Sequence, residues 1–306
     1  MNHSLQNNFE TSSDVAPNTS RTALVLGGGG STGNAWLIGV VAGLAGAGVD
    51  VTGADLIVGT SAGATAAAQL TGAVPAELFA DILSAVPQAR TGSARPAPTG
   101  AITNAMDATA AVIAASADAV DMRRRMGAWG LGVDAASPRS AQWRAVVAAR
   151  LPRQQWPEQR MLITAVDART GEPVVFDRHS GVDLVDAVAA STAGGFAYSI
   201  GDRQFIDGGY RTNADNADLA SGFGRVLVLS PFGGRSRLPF EWGMHLETQV
   251  DELRASGSTV ETIFPDSNSE HLFGPNGLDL TLRPPAARAG HEQGVGVAGQ
   301  LKELWG

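Results

Sequence analysis

The chain has 306 residues, 44% hydrophobic and 17% charged, with a formal net charge of −8. That composition fills a sizeable core and excludes a disordered or fibrous protein, and the net acidity argues against nucleic acid, whose binding is dominated by phosphate neutralisation. Cysteine is absent and Lys302 is the only lysine, which removes disulfides, thiolate nucleophiles, cysteine zinc sites and nearly all scope for Schiff-base chemistry. The five histidines (His3, His179, His245, His271, His291) show no metal-ligand spacing. No metal and no cofactor is expected. A side-chain nucleophile must then be serine, threonine or a carboxylate.

Residues 1–20 are polar and lack the apolar segment of a signal peptide, so they read as a disordered N-terminal tail. The rest, 21–306, reads as one domain. Ala23–Leu26 is a short apolar run of the kind a buried parallel strand shows, and Asn34–Ala47 is apolar nearly all round, as a buried helix is. The stretch Thr22–Val49 is too broken by glycine to cross a membrane. A second strand spans Asp55–Val58, and a helix of small residues runs over Ala62–Leu70. Between 86 and 158 the texture changes to a helical insertion without strands. Pro87, Pro96 and Pro98 mark a loop, an alanine-rich helix surrounds Met106, Ile113 and Val120, and a further helix carries Trp143, Val146, Val147 and Leu151. Sheet texture resumes at Met161–Val166, turns through Asp167–Gly171 into Val174–Phe176, and passes through a helix near Val182–Ala190. Gln204–Ile206 and Val226–Leu229 read as strands, Leu246, Val250 and Leu253 mark a helix, and Val260–Phe264 is a last strand. Such alternation predicts an α/β fold with a mostly parallel central sheet.

Three segments carry chemistry. Gly28-Gly29-Gly30-Ser31-Thr32-Gly33 lies between a strand and a helix, where consecutive glycine N–H groups form an anion-stabilising nest for a phosphate or a transient oxyanion. It formally satisfies a dinucleotide fingerprint, but Asp50 precedes the second strand instead of ending it, and no lysine is near for a phosphate loop. Gly59-Thr60-Ser61-Ala62-Gly63 is a GxSxG turn, which exposes a serine hydroxyl between strand and helix. Asp207-Gly208-Gly209 reads equally as a hairpin turn or as a carboxylate at a strand end approached closely by another loop. Taken together they offer a nucleophile, a proton acceptor and oxyanion donors.

In that order and context the three motifs resemble those of the patatin-like phospholipase family, over about 22–215. The sequence beyond, with Val226–Pro231 continuing the sheet, is similar to actinobacterial-type members. The resemblance implies a three-layer α/β/α patatin-like fold and a lipid acyl hydrolase with a Ser–Asp dyad. Ser61 would be the nucleophile and Asp207 the proton acceptor. Gly28, Gly29 and Gly30 would line the oxyanion hole, with Gly33, Gly59, Gly63, Gly208 and Gly209 supporting the motifs. The expected partner is a fatty-acyl ester or phospholipid, with at most transient contact with a membrane surface and a cytoplasmic location. Two departures stand out: Thr32 occupies the place of the family's basic residue, and Ser191–Ala197 lacks the usual prolines. The rival readings are a Ser–His–Asp esterase completed by His245, His271 or His291, a nucleotide- or phosphate-binding module at Gly28–Gly33, and a non-catalytic homologue.

Overall fold

The structure, a computed structural model, describes residues 18–85, 99–136 and 139–305. The loop expected around Pro87, Pro96 and Pro98 and most of the expected tail lie outside them. Eight strands form one sheet in the order β5-β6-β3-β2-β1-β7-β8, with β4 also paired to β3. β1 (Asn18–Leu26) pairs in parallel with β2 (Leu56–Gly59) and with β7 (Phe223–Leu229), β2 with β3 (Met161–Asp167), and β7 with β8 (Thr259–Ile263). β4 (Pro173–Phe176) and β6 (Arg203–Asp207) run antiparallel to β3, and β5 (Tyr198–Ile200) antiparallel to β6. The sheet is therefore mixed: parallel through β1, β2, β7 and β8, antiparallel at the β5–β6 edge. Asn18–Ser20, expected in the tail, begin β1, where Asn18 pairs with Phe223.

Alternation along the strands divides the core. Leu24, Leu26, Ile57 and Ile163 face one apolar cluster, while Ala23, Val25, Leu56, Val58 and Leu162 face another. All are buried; full burial of such a valine, leucine or isoleucine side chain stabilises by about 1.5–3 kcal/mol. The first cluster is covered by α1 (Gly30–Gly46), α2 (Ala62–Leu70), α7 (Leu184–Ser191) and α9 (Arg283–Trp305); the second is covered by α8 (Leu246–Ala255). α3 (Pro75–Ser84) packs beside α1.

α1 and α9 make the most extensive helix contact. A Cβ on Gly39 or Gly43 would strike the Ala287 or His291 carbonyl, and one on Gly290 or Gly294 the Trp36 or Val40 carbonyl. The two backbones touch. α9 was not expected from the sequence because most of its buried stripe, Ala286, Ala287, Gly290, Gly294 and Ala298, is built of residues too small to mark an apolar period, and only Leu301 and Leu304 at its end are large. The insertion contributes α4 (Thr99–Ala114), α5 (Ala119–Ala136) and α6 (Ser140–Ala148), with no strand among the described residues. The expected alanine-rich helix is thus two, separated at 115–118.

Candidate active site

The carboxyl ends of β1, β2 and β7 open on one edge of the sheet, the place where open α/β sheets bind ligands. β3 is the shared template: Gly59 at the end of β2 pairs with Ile163, and Asp207 at the end of β6 pairs with Ala165. The two candidate catalytic loops are thereby brought to adjacent levels of one strand.

Ser61 follows β2 and opens α2 with φ 51° and ψ −115°, a left-handed corner rare for a residue with a side chain. Its hydroxyl caps nothing in the helix. Instead Oγ donates to Asp207 Oδ2 at 2.8 Å. The corner needs space as well as strain: a Cβ on Gly63 would run into the Leu26 carbonyl, and one on Gly59 would stand 2.7 Å from Ala64 Cα. The Ser61 amide donates to Ser191 Oγ at 2.9 Å.

Asp207 ends β6, and Gly208–Tyr210 continues as a turn of 3₁₀ helix, not a hairpin. Its Oδ1 accepts from the Gly209 N–H at 2.8 Å. Gly208 packs on Thr164, which leaves no space for a side chain there. Burial pushes the Asp207 carboxyl up to about 6, against the opposing effect of the Gly209 and Ser61 hydrogen bonds. A carboxylate so placed titrates near the range a general base needs.

The three expected oxyanion donors are not equivalent. The Gly28 amide donates to the Ala214 carbonyl at 2.7 Å, so this N–H is already engaged although the residue lines the cavity. The amides of Gly29 and Gly30 have no acceptor among the described residues. Gly30 has φ +67°, and a Cβ there would stand 2.6 Å from the Gly277 carbonyl, which itself accepts from the Thr32 N–H at 3.0 Å. Gly33 packs on Pro231. Thr32, at the place of the family's basic residue, is fully buried with no partner for its hydroxyl. A guanidinium does reach this helix start from elsewhere: Arg283 of α9 donates to Ser31 O at 2.9 Å and to Asn34 Oδ1 at 3.2 Å.

Gly28–Gly30, Ser61, Asp207 and Gly209 line one cavity of about 440 Å³. Met106 and Ile113 of α4 and Phe232 and Leu238 after β7 give it an apolar wall. Behind the hydrogen-bonded Ser61–Asp207 pair sits Asn216, fully buried with φ 55°. Its amide nitrogen donates to Thr60 Oγ1 and to the Gly208 carbonyl, both at 3.0 Å, and so joins the residue before Ser61 to the residue after Asp207. Sequence reasoning missed Asn216, Ser191 and Gly277. Only the tolerance of asparagine for left-handed backbone hinted at the first.

The histidines offered for a triad, His245, His271 and His291, stand elsewhere. His245 Nε2 is 2.8 Å from the Leu238 carbonyl, His291 stacks on Phe79 with ring centroids 4.6 Å apart, and no histidine lines the cavity among the described residues. Asp50 caps Thr52 in the loop before β2. Among the described residues no group of three or more histidine, aspartate or glutamate side chains is arranged to hold a metal ion, and no helix is long and apolar enough to cross a membrane.

A mixed sheet flanked by helices, with serine and aspartate loops meeting beside a glycine nest, agrees with the sequence comparison. Residues 24–220 match the family model described as patatin-like phospholipase, and the chain belongs to that family. At family level this places it among lipid acyl hydrolases. No curated protein sequence matches it. Among solved structures, similarity is found to VipD from Legionella pneumophila, with 12% identity, TM-score 0.45, and coverage of 92% of this chain and 67% of that one. The type III effector protein ExoU is similar at 15% identity and TM-score 0.37, with coverage of 94% and 54%.

Proposed function

We propose that the chain hydrolyses fatty-acyl esters through an acyl-enzyme on Ser61, with Asp207 as the proton carrier and no histidine. The observation that carries this reading is the 2.8 Å hydrogen bond from Ser61 Oγ to Asp207 Oδ2 at the lining of a largely apolar cavity. In the first step Ser61 Oγ attacks the acyl carbonyl carbon and its proton passes to Asp207 Oδ2. The carbonyl oxygen becomes an oxyanion, held by the Gly29 and Gly30 N–H groups. One such donor is typically worth about 2.7–4 kcal/mol in the transition state. Collapse expels the alcohol, which takes the proton from Asp207. Water then attacks the acyl-serine, giving its proton to Asp207, and the free acid leaves while the proton returns to Ser61 Oγ. The strained Ser61 corner holds the hydroxyl in place, so no search over rotamers precedes attack. The wall of Met106, Ile113, Phe232 and Leu238 receives the acyl chain, which gives the insertion its part in the site.

The test is active-site labelling with a fluorophosphonate, alongside turnover of p-nitrophenyl esters. Labelling at Ser61, with turnover lost in Ser61→Ala and Asp207→Asn, is expected. Full turnover in either variant would overturn the dyad. Tight nucleotide binding without labelling would favour the phosphate-binding reading of Gly28–Gly33.

A further inference from the structure

Asp207 and Tyr210 belong to one turn. Asp207 caps the 3₁₀ helix Gly208–Tyr210, its Oδ1 accepting from the Gly209 N–H at 2.8 Å, and the Arg211 N–H closes the turn on the Gly208 carbonyl at 3.1 Å. Positions three apart in 3₁₀ geometry lie one above the other, and Tyr210 lines the same cavity as Ser61 and Asp207. Its ring packs on the apolar cluster that contains Ile113, Met126 and Ile206, so α4, α5 and β6 together hold it in place.

The hydroxyl is engaged from one side only. The Arg237 guanidinium stands beside it, itself held by the Thr109 hydroxyl at 3.0 Å and the Met106 carbonyl at 3.3 Å. A guanidinium carries donors and no acceptor, so the phenol oxygen receives that bond and its own hydrogen is left for another partner. Among the described residues nothing accepts this hydrogen. Burial, with the Asp207 carboxyl nearby, pushes Tyr210 up to about 12, so it stays a protonated donor at any neutral pH. Other polar groups of the lining are committed. Asn213 donates to the Met244 carbonyl at 2.7 Å and its Oδ1 accepts from the Asp215 and Asn216 amides, both at 2.8 Å. Ser236 Oγ accepts from the Leu238 N–H at 3.1 Å.

The acyl-hydrolase reading leaves a place for such a donor. Gly29 and Gly30 would hold the former carbonyl oxygen, while the departing oxygen must lie against Asp207 to take its proton. We propose that Tyr210 is a further catalytic residue, whose hydroxyl donates a hydrogen bond to the alkoxy oxygen as it leaves. When the carbon–oxygen bond breaks, its electron pair goes to the alkoxy oxygen and the carbonyl double bond re-forms. The proton comes from Asp207, and the Tyr210 hydrogen stays on the phenol. The proposal rests on the acyl-hydrolase reading above and adds a third side chain to it. A donor at this oxygen matters most where the alcohol is a poor leaving group and the charge on it must be stabilised. A tyrosine that only packs would affect all leaving groups alike.

The experiment measures kcat/KM, which reports the steps through acylation, for p-nitrophenyl, phenyl and ethyl butyrate in the wild type and Tyr210→Phe. Fluorophosphonate labelling of Ser61 and the melting temperature report that the variant is folded. Turnover of ethyl butyrate should fall about tenfold or more, the scale of a hydrogen bond to a charged group, and p-nitrophenyl butyrate should change less than about twofold. The dependence on leaving group should therefore steepen. Equal loss on all three esters, or no loss on any, overturns the role of Tyr210 while leaving the hydrolase reading intact. Should Tyr210→Phe fail to fold, site-specific replacement of Tyr210 by a fluorotyrosine decides. The more acidic donor should raise the ethyl-to-p-nitrophenyl ratio by about twofold, and an unchanged or lower ratio overturns the proposal. Absence of wild-type turnover on every ester, with no labelling of Ser61, overturns the hydrolase reading and Tyr210 with it.

Discussion

The turns after β1 and β2 have the same plan and different contents. Each leaves a parallel strand and enters a helix through a left-handed residue, Gly30 with φ +67° and Ser61 with φ 51°. At the first turn the residue is glycine, so the conformation costs little and the chemistry offered is bare backbone N–H. At the second it is serine, and a side chain holds a corner that carries on the order of 1–3 kcal/mol of strain. The lesson is that strain is found where a side chain must be presented and is absent where the backbone alone is used.

Substitution at Ser61 tests this difference most severely. Ser61→Ala and Ser61→Gly should both lose ester turnover by about 10³-fold or more. Ser61→Gly should nevertheless melt higher than Ser61→Ala, despite the entropy of glycine, because only glycine relaxes the corner. Equal melting temperatures would show that the corner is unstrained. Gly30→Ala is the converse. It adds a Cβ at positive φ and 2.6 Å from the Gly277 carbonyl, and displacement of one proposed oxyanion donor should cost about 10²–10³ in kcat with KM little changed.

The pH dependence follows from Asp207, raised by burial to about 6 from 3.8. As the proposed base it would have to be ionised, so kcat/KM should fall on the acid side with a midpoint near 6. Stability runs the other way. Between about 4 and 6 the folded state keeps a proton that the unfolded chain has lost, so stability decreases as pH rises through this window and then levels, by about 3 kcal/mol at 1.36 per pH unit. Asp215, buried with Oδ1 unpartnered and pushed up to about 7 by that burial, extends the decline. Asp207→Asn and Asp215→Asn should each flatten the dependence of melting temperature on pH. A slope unchanged in both would overturn the assignment.

The smallest effects belong to residues that only position the proposed dyad. Asn216→Ala removes the bridge from Thr60 to Gly208, and Ser191→Ala removes the acceptor for the Ser61 amide. Each should lower kcat about tenfold, the scale of a lost buried hydrogen bond, while Ser61 remains open to fluorophosphonate labelling.

The motifs were legible because each writes a backbone requirement into residue type. Gly63 must be glycine for α2 to pass the end of β1, and Ser61 announces itself by its glycine neighbours. Strands β1, β2, β3 and β7 were legible as apolar runs, and α2 was expected over the residues it occupies. What escaped was whatever depends on a distant partner. Nothing near Gly28 foretells that its N–H meets the Ala214 carbonyl, and nothing near Asn216 foretells Thr60. β5 is only Tyr198–Ile200 and exists as the partner of β6. The mixed character of the sheet has the same origin, since strand direction is set by connections that hydropathy does not display.

The contact of α1 with α9 gives the molecule a timetable. The glycine nest sits at the start of α1, and α1 is locked backbone to backbone against α9, with Trp36 bonded to Gln293 across 257 positions of sequence. Closing so long a loop is entropically late, because non-local contacts return nothing until the intervening chain is in place. The sheet around β1, β2 and β3, closed by shorter loops, can therefore assemble, and carry Ser61 on its turn, before the glycine nest at the start of α1 is fixed. On the proposed mechanism, a chain caught partway through folding would own a nucleophile without the means to stabilise what it makes, and hydrolytic competence would arrive with the last helix to dock.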